Sequence, residues 1–159
     1  MVHYRLYSTC SSQHLSAEFF EEAAEENVSL IVRVPLASGL LTGKFDENTT
    51  FPEDDHRNFN ADGEAFNVGE TFSGIKLKKG VKLARKIEKI MPAGDMPQLA
   101  LRWILDHPEV TTVIPGATKQ SHVISNTGAS DLEPLDEEVH QKLADLYKNE
   151  IRPNIRGQY

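Results

Sequence analysis

Cysteine is scarce in this sequence of 159 residues, and its scarcity limits the possible chemistry. The single cysteine, Cys10, cannot form an internal disulfide, which is typical of proteins from a reducing cytosol. No apolar run approaches the ~18 residues that a membrane-spanning helix needs. The opening residues, MVHYRLYSTCSSQH, lack the basic and apolar regions of a signal peptide. We therefore expect a cytoplasmic protein with no membrane as partner.

Positive charge is also in short supply. The sequence has 17 Lys and Arg against 24 Asp and Glu, a formal net charge of −7. Four of the acids cluster at Glu21, Glu22, Glu25 and Glu26. Because nucleic acids and anionic membranes attract basic surfaces, we expect no nucleic acid as partner. A small local anion site is still compatible with this charge balance.

The order of apolar patterns indicates an α/β fold. Two β-branched runs predict buried strands at 28–34 and 110–114, and a further short strand is possible near Val2–Tyr7. Helices are predicted at about 16–27, 79–91, 96–106, 119–127 and 136–149. A TIM barrel needs eight strands and ~250 residues. Two or three parallel strands with flanking helices therefore indicate part of a larger parallel fold.

Capping and periodicity give finer predictions for these helices. Phe19, Phe20, Ala23 and Ala24 would form the apolar face of the first helix. Asp95, followed three residues later by Gln98, predicts the start of the helix at 96–106. That helix is apolar nearly all round, so Trp103 is predicted in the core. Thr118 is predicted to cap the helix at 119–127.

A long polar stretch without periodicity covers residues 45–74. Loops of this length in compact domains are usually functional or mobile. If this loop is a ligand lid, we expect it to be mobile without the ligand. It contains His56 and Arg57, for which we expect no direct role.

Both predicted strands end in loops that contain glycine, VPLASGLLTGK and IPGATKQSH. In parallel α/β folds, ligands collect at the carboxyl ends of strands, where glycine lets backbone amides approach a phosphate. Ser38, Thr42 and Thr118 would add hydroxyl donors, and Lys44 and Lys119 would add positive charge. The spacing differs from that of a Walker loop. Taken alone, it favours ordinary strand-to-helix turns over a phosphate site by roughly two to one.

Two longer segments resemble a known family. VPLASGLLTGKF is similar to the loop after the seventh barrel strand of bacterial aldo-keto reductases. ALRWILDHPEVTTVIPGATKQSHVISNTGA resembles their next helix, eighth strand and adenosine-binding helix. The resemblance runs from about Phe19 to the C-terminus. It implies an α/β fold that is the C-terminal portion of a TIM (β/α)8 barrel, and a family activity of NADPH-dependent reduction of aldehydes and ketones.

The resemblance also implies a cofactor role for the first loop. Arg33 stands where the family usually has an aromatic residue stacked on the nicotinamide, so an arginine plane would replace the ring. The residues implied to wrap the pyrophosphate are Pro35, Leu36, Ala37, Ser38, Gly39 and Leu41, with Gly43 and Lys44 closing over it.

The second loop is implied to hold the adenosine part of NADPH. Its residues around the 2′-phosphate would be Gly116, Ala117, Thr118 and Lys119. His122 stands where relatives carry arginine or glutamine, and Ser125 and Asn126 match a Glu-Asn pair that meets the adenine. Lys119, helped by protonated His122, would favour NADPH over NADH. Serine for glutamate would weaken the hold on adenine.

The family's catalytic aspartate, tyrosine, lysine and histidine come from the first half of its barrel, so we expect this chain to be inactive alone. Residues 1–14 depart from the family pattern. The alternatives are a non-catalytic NADPH-binding or regulatory module, and a folded remnant of a truncated gene. The strand at Leu30–Val34 would expose an unpaired edge. We therefore expect a partner, either a second copy or the missing N-terminal half.

Overall fold

The computed structural model describes residue 20 and residues 22–156. Its two strands, β1 (Leu30–Arg33) and β2 (Val110–Ile114), form a parallel sheet in which Val32 lies beside Val113 and Arg33 beside Ile114. The pairing confirms that the two predicted strands are neighbours. The strand predicted near Val2–Tyr7 lies outside the described residues.

The described part of the chain has five α-helices besides this sheet, and residues 22–25 are also helical. They are α1 (His56–Phe59), α2 (Leu77–Ile90), α3 (Met96–Leu105), α4 (Gln120–Gly128) and α5 (Glu137–Leu146). Short 3-10 turns lie at Ala37–Thr42, Val68–Glu70, Phe72–Gly74, Ala129–Asp131 and Arg152–Asn154, and one π-helical turn lies at Tyr147–Ile151. Within the described part of the chain, no helix has both the length and the apolar character to span a bilayer.

The predicted limits of the strands are correct for β2 and too wide for β1. Val34 has a φ of 50°, in the left-handed region, and this turn ends β1 one residue early. Val28 belongs to the connection before β1, where its amide donates to the Ala23 carbonyl. A β-branched run therefore marks where β1 lies, but the strand is shorter than the run.

The prediction that both strands are buried is correct for one face of the sheet only. Leu30 and Val32 are 2% and 0% exposed, whereas Ile31 and Ile114 are each 52% exposed. Side chains alternate between the two faces of a sheet. Among the described residues, the helices therefore cover one face, and Ile31 and Ile114 lie on the other.

The helix predictions hold in their main features. Asp95 caps α3 by accepting from the Gln98 amide, and Trp103 is 4% exposed, as expected of a core residue. The predicted Thr118 cap of α4 is wrong, because Lys119 occupies the cap position without a side-chain hydrogen bond. Ala24 is exposed, so its assignment to the apolar face is also wrong. Phe19 lies outside the described residues.

The core lies between the sheet and helices α2, α3 and α5. Helix α3 packs on β2 and on the turn after β1, and α2 packs on α5. Fully buried side chains here include Val32, Val81, Leu101 and Leu143. At roughly 25 cal/mol per Å² of apolar surface, this burial supplies the main stabilising term. It also holds the ends of β1 and β2 in fixed positions.

Candidate functional site

The carboxyl ends of β1 and β2 lie side by side. Arg33 and Ile114, the last residues of the two strands, are Cα partners in the sheet. The strands are parallel, so the chain leaves both of them at the same edge. The two glycine-containing loops predicted to share a ligand therefore begin next to each other.

The loop after β1, residues 35–44, forms a tight 3-10 turn with unusual backbone angles. Ala37, Ser38 and Gly39 follow one another at φ values of 50°, 54° and 96°, directly after Leu36 at −98°. A change of sign of φ between neighbouring residues is typical of backbone nests that bind anions. The turn shares this change of sign, at Leu36–Ala37. It also replaces the open loop expected from the sequence.

The polar groups of this loop are partly used within the protein. The amides of Ala37 and Gly39 donate to the carbonyls of Val34 and Leu36. The Ser38 hydroxyl donates to the Glu70 carbonyl at 3.4 Å, and that of Thr42 donates to the Gly39 carbonyl at 2.7 Å. These hydroxyls therefore brace the loop. Gly43 and Lys44 at its far end are exposed.

The loop after β2 is more open. Gly116 has a φ of 74°, and a Cβ placed there would meet no atom within 4 Å. Ala117, Thr118 and Lys119 are exposed. The Thr118 amide donates to Nδ1 of His122 at 3.4 Å, and its hydroxyl lies 3.3 Å from the same atom. His122 thus braces the loop from the first turn of α4.

Two further predicted residues tie α4 to this edge. The side-chain amide of Asn126 donates to the Gly116 carbonyl at 3.0 Å. The Ser125 hydroxyl donates to Asp95 at 3.3 Å, while its carbonyl accepts from Gln98 at 2.8 Å. Both side chains therefore position the loop after β2 against the start of α3.

Residues 45–74 make hydrogen bonds and ring contacts with one another, and they pack on the loop after β1. They contain α1 and two 3-10 turns, so the expectation of a stretch without regular structure is wrong there. The rings of Phe45 and Phe72 lie 6.4 Å apart, and Phe45 contacts the Gly39 position. Glycine suits position 39, because its φ is 96° and a Cβ there would lie 2.9 Å from the tip of the Phe45 ring.

Sequence analysis missed the part that Arg57 plays in this arrangement. Its guanidinium donates to both carboxylate oxygens of Asp55, at 2.9 and 2.5 Å, and to the Ser38 carbonyl at 3.4 Å. It also lies over the Phe51 ring at 4.4 Å. The hydrogen bonds from Arg57 lower the pKa of the Asp55 carboxyl to about 2. The only local signal was Asp-x-Arg after an aromatic residue, which is too common to indicate such a contact.

Comparison with known proteins adds the family to this geometry. A model of the aldo/keto reductase family matches residues 1–148. The chain belongs to this family. The match includes residues 1–14, which we set apart as atypical, and the recognition from the two loop motifs is confirmed.

Relatives of this aldo-keto reductase chain carry several names. A probable voltage-gated potassium channel subunit beta of Arabidopsis thaliana is 29% identical over 81% of this chain and 38% of that protein. An aldo-keto reductase, yakc [NADP(+)], of Schizosaccharomyces pombe is 29% identical over 80% of this chain and 33% of that protein. The chain thus spans little more than a third of the length of these relatives.

Solved structures support the fold of this aldo-keto reductase chain. Glycerol dehydrogenase AKR11B4 from Gluconobacter oxydans superposes with a TM-score of 0.68 at 22% identity, over 92% of this chain and 42% of that one. The holo form of aldo-keto reductase AKR11C1 from Bacillus halodurans gives 0.54 at 25% identity, over 86% of this chain and 41% of that one. The expected fold, a part of a TIM barrel, is confirmed.

Proposed function

We propose that this chain binds NADPH across the shared edge of β1 and β2, as the cofactor-binding part of an aldo-keto reductase. The observation that carries the proposal is the pairing of Arg33 with Ile114, because it starts both loops at one edge. The fold and the family, whose members generally bind a nicotinamide cofactor, support it. When bound, the cofactor supplies a hydride for a carbonyl substrate.

The loop after β1 takes the pyrophosphate and the nicotinamide side in this proposal. Its turn at Ala37, Ser38 and Gly39 has the φ pattern of an anion nest, and a bound phosphate would have to share the Ala37 and Gly39 amides with the carbonyls that accept from them here. Lys44 is exposed at the end of the loop, where its ammonium group can approach a phosphate. Arg33, half-buried at the end of β1, offers a planar guanidinium for stacking on the nicotinamide.

The loop after β2 takes the 2′-phosphate and the adenine. Gly116 leaves open space above its backbone, and Lys119 and His122 stand at the start of α4. A helix N-terminus and a lysine both favour an anion. Lys119 is therefore the residue that should prefer NADPH over NADH, which lacks the 2′-phosphate.

We also propose that the chain does not reduce carbonyls by itself, because the family's catalytic groups belong to other strands of its barrel. A regulatory, cofactor-binding role is the alternative, and the relatives named as potassium channel subunits favour it. Both readings predict no turnover, so an assay with NADPH and a panel of aldehydes tests them together. Reduction of any of them by the isolated chain contradicts both the proposed inactivity and a purely regulatory role.

A partner is proposed for the uncovered face of the sheet. Ile31 and Ile114 lie on this face, and each is 52% exposed. A second copy, or the remaining strands of a barrel, would bury them. Sedimentation at micromolar concentration tests self-association, and a purely monomeric chain contradicts the homo-oligomer.

Calorimetric titration with NADPH, and with NADH as reference, tests the cofactor proposal. We expect saturable binding that is stronger for NADPH. Lys119→Ala should weaken NADPH binding by roughly tenfold and leave NADH unchanged, since it removes a charged contact to the 2′-phosphate. Lys89→Ala, which removes an exposed lysine from the last turn of α2, is the matched control. Absence of binding for both nucleotides contradicts the proposal.

A further inference from the structure

The last described residues of the chain hold the segment 61–74 at both of its ends. Arg156 donates through Nη1 to Asp62 at 2.7 Å and through Nη2 to the Ala61 carbonyl at 3.4 Å, at the start of that segment. Its Nε donates to the carbonyl of Gly74, and its backbone amide donates to the carbonyl of Ser73 at 3.4 Å. The partners of the Arg156 side chain precede it in the sequence by 82 to 95 residues.

The fit at Gly74 is close. Gly74 has a φ of 71°, and a Cβ there would lie 2.5 Å from the carbonyl oxygen of Arg156. Only glycine tolerates both the angle and the contact. The C-terminal backbone is therefore packed directly on the end of the segment and does not merely rest on its surface.

The residue just before this segment, Asn60, ties distant parts of the segment together. Asn60, 0% exposed, accepts from the amides of Ala65 and Phe66 and donates to the Thr71 hydroxyl at 3.2 Å. A buried side chain with several hydrogen bonds makes its neighbours move as one unit. Displacement of one end of the segment is therefore transmitted to the other.

One hydrogen bond joins this segment directly to the loop after β1, and a second reaches the same loop from the neighbouring helix α1. The Glu70 carbonyl accepts from the Ser38 hydroxyl, and Arg57, just before Asn60, donates to the Ser38 carbonyl, both at 3.4 Å. Phe72 packs beneath them against Phe45 and Phe51. Ser38 and its neighbour Gly39 are the residues proposed to face the pyrophosphate.

We propose that Arg156 is a positioning residue for the pyrophosphate site. By fixing segment 61–74, it sets the conformation of the Ser38–Gly39 turn, and it contacts no part of the cofactor itself. This inference rests on the proposed cofactor function. It predicts that loss of the Arg156 contacts weakens recognition of the pyrophosphate and leaves recognition of the 2′-phosphate intact, because the latter lies on the loop after β2.

Ligands that carry one of the two phosphate groups test this inference in the full chain. Arg156→Gln should weaken binding of ADP-ribose, which contains the pyrophosphate, by about three- to tenfold, since partly exposed ion pairs contribute modestly. Binding of adenosine 2′-monophosphate should not change. Asp62→Asn should act in the same direction, and Arg156→Lys should restore part of the affinity. Arg152→Gln, an exposed arginine on the preceding turn, is the matched control.

An equal loss for both ligands would show a general loss of folding, and no loss for ADP-ribose would show that Arg156 does not act on the site. Either result overturns the inference. Hydrogen exchange without any ligand separates this failure from failure of the proposed function. If the parent chain binds neither ligand, Arg156→Gln must still accelerate exchange of the Ala65, Phe66 and Gly39 amides. Unchanged exchange at these amides overturns the inference by itself.

Discussion

The side-chain amide of Asn60 lies 3.2 Å from the Thr71 hydroxyl, and both residues are almost completely buried, at 0% and 1% exposure. Their contact lies inside the segment that the sequence pattern marks as a polar loop. A polar residue is stable in such a position only when its hydrogen bonds are satisfied. The segment therefore has a small polar centre of its own.

Asn60→Ala should destabilise the chain by about 2–3 kcal/mol, because the buried Thr71 hydroxyl loses its donor and the Ala65 and Phe66 amides lose their shared acceptor. Urea unfolding followed by circular dichroism measures the change. Asn58→Ala is the control, since Asn58 is exposed and donates a single bond, to the Phe51 carbonyl. Equal effects of the two substitutions would contradict a special role for Asn60.

The Asp55–Arg57 pair should make stability depend on acid pH. The hydrogen bonds from Arg57 lower the pKa of Asp55 to about 2, below the value of about 3.9 expected in the unfolded chain. The pair therefore stabilises the fold above pH about 4, and this contribution disappears as the pH falls toward 2.

Asp55→Asn tests this pair while preserving the cap of α1, because asparagine caps helices as well as aspartate does. We expect it to cost about 1 kcal/mol at pH 7, after allowance for solvent screening. The difference between parent and variant should shrink between pH 4 and pH 2. A difference that stays constant over this range would show that the ion pair does not stabilise the fold.

The carboxylate of Asp106 joins α3 to α5. It accepts from Arg102 at 2.8 Å, from the Leu135 amide at 3.0 Å and from His140 at 3.0 Å, and its side chain is 6% exposed. Asp106→Ala should cost about 3 kcal/mol, because Arg102 loses its carboxylate in a nearly buried position. Thermal unfolding measures this. Glu138→Ala should have no measurable effect, since its pair with Lys142 is fully on the surface.

Gly116→Ala separates backbone strain from ligand contact. The new methyl group meets no atom within 4 Å, so the expected cost of about 1 kcal/mol comes from the φ of 74° alone. Affinity for NADPH should fall as well, because the methyl group occupies the space proposed for the 2′-phosphate. Gly94→Ala is the control for affinity, because its φ is ordinary and it lies outside the proposed site, although its methyl group would approach Leu99 to 3.2 Å. Unchanged affinity would place the phosphate elsewhere.

Local patterns predicted the elements that local forces shape. Asp95 before α3, the apolar character around Trp103 and the β-branched run of β2 all predicted what the structure shows. Capping and helical periodicity act over three or four residues, so the sequence displays them directly. The predictions failed at Thr118, because α4 begins one residue later without a side-chain cap, and at Ala24, which tertiary packing leaves exposed.

The two loops of the candidate site were predicted, but most of the contacts that shape them were not. The loops after β1 and β2 were recognisable by their glycines and by resemblance to the family, and which side chains contact the cofactor stays a prediction. Arg57 was not identified, because its contact with the Ser38 carbonyl spans 19 residues. The left-handed angles of Ala37 and Ser38 were also invisible, since neither residue type favours them.

By itself, the sequence determined the order of β1, β2 and the four longer helices, the family, and the two loops that contain glycine. Only the tertiary structure decided that Arg33 pairs with Ile114 and that Arg156 holds the segment before Gly74. The physical reason is that hydrogen bonds between distant residues form only after the core has fixed the backbone, and no local pattern encodes them. The shape of the proposed cofactor site depends on contacts of this second kind.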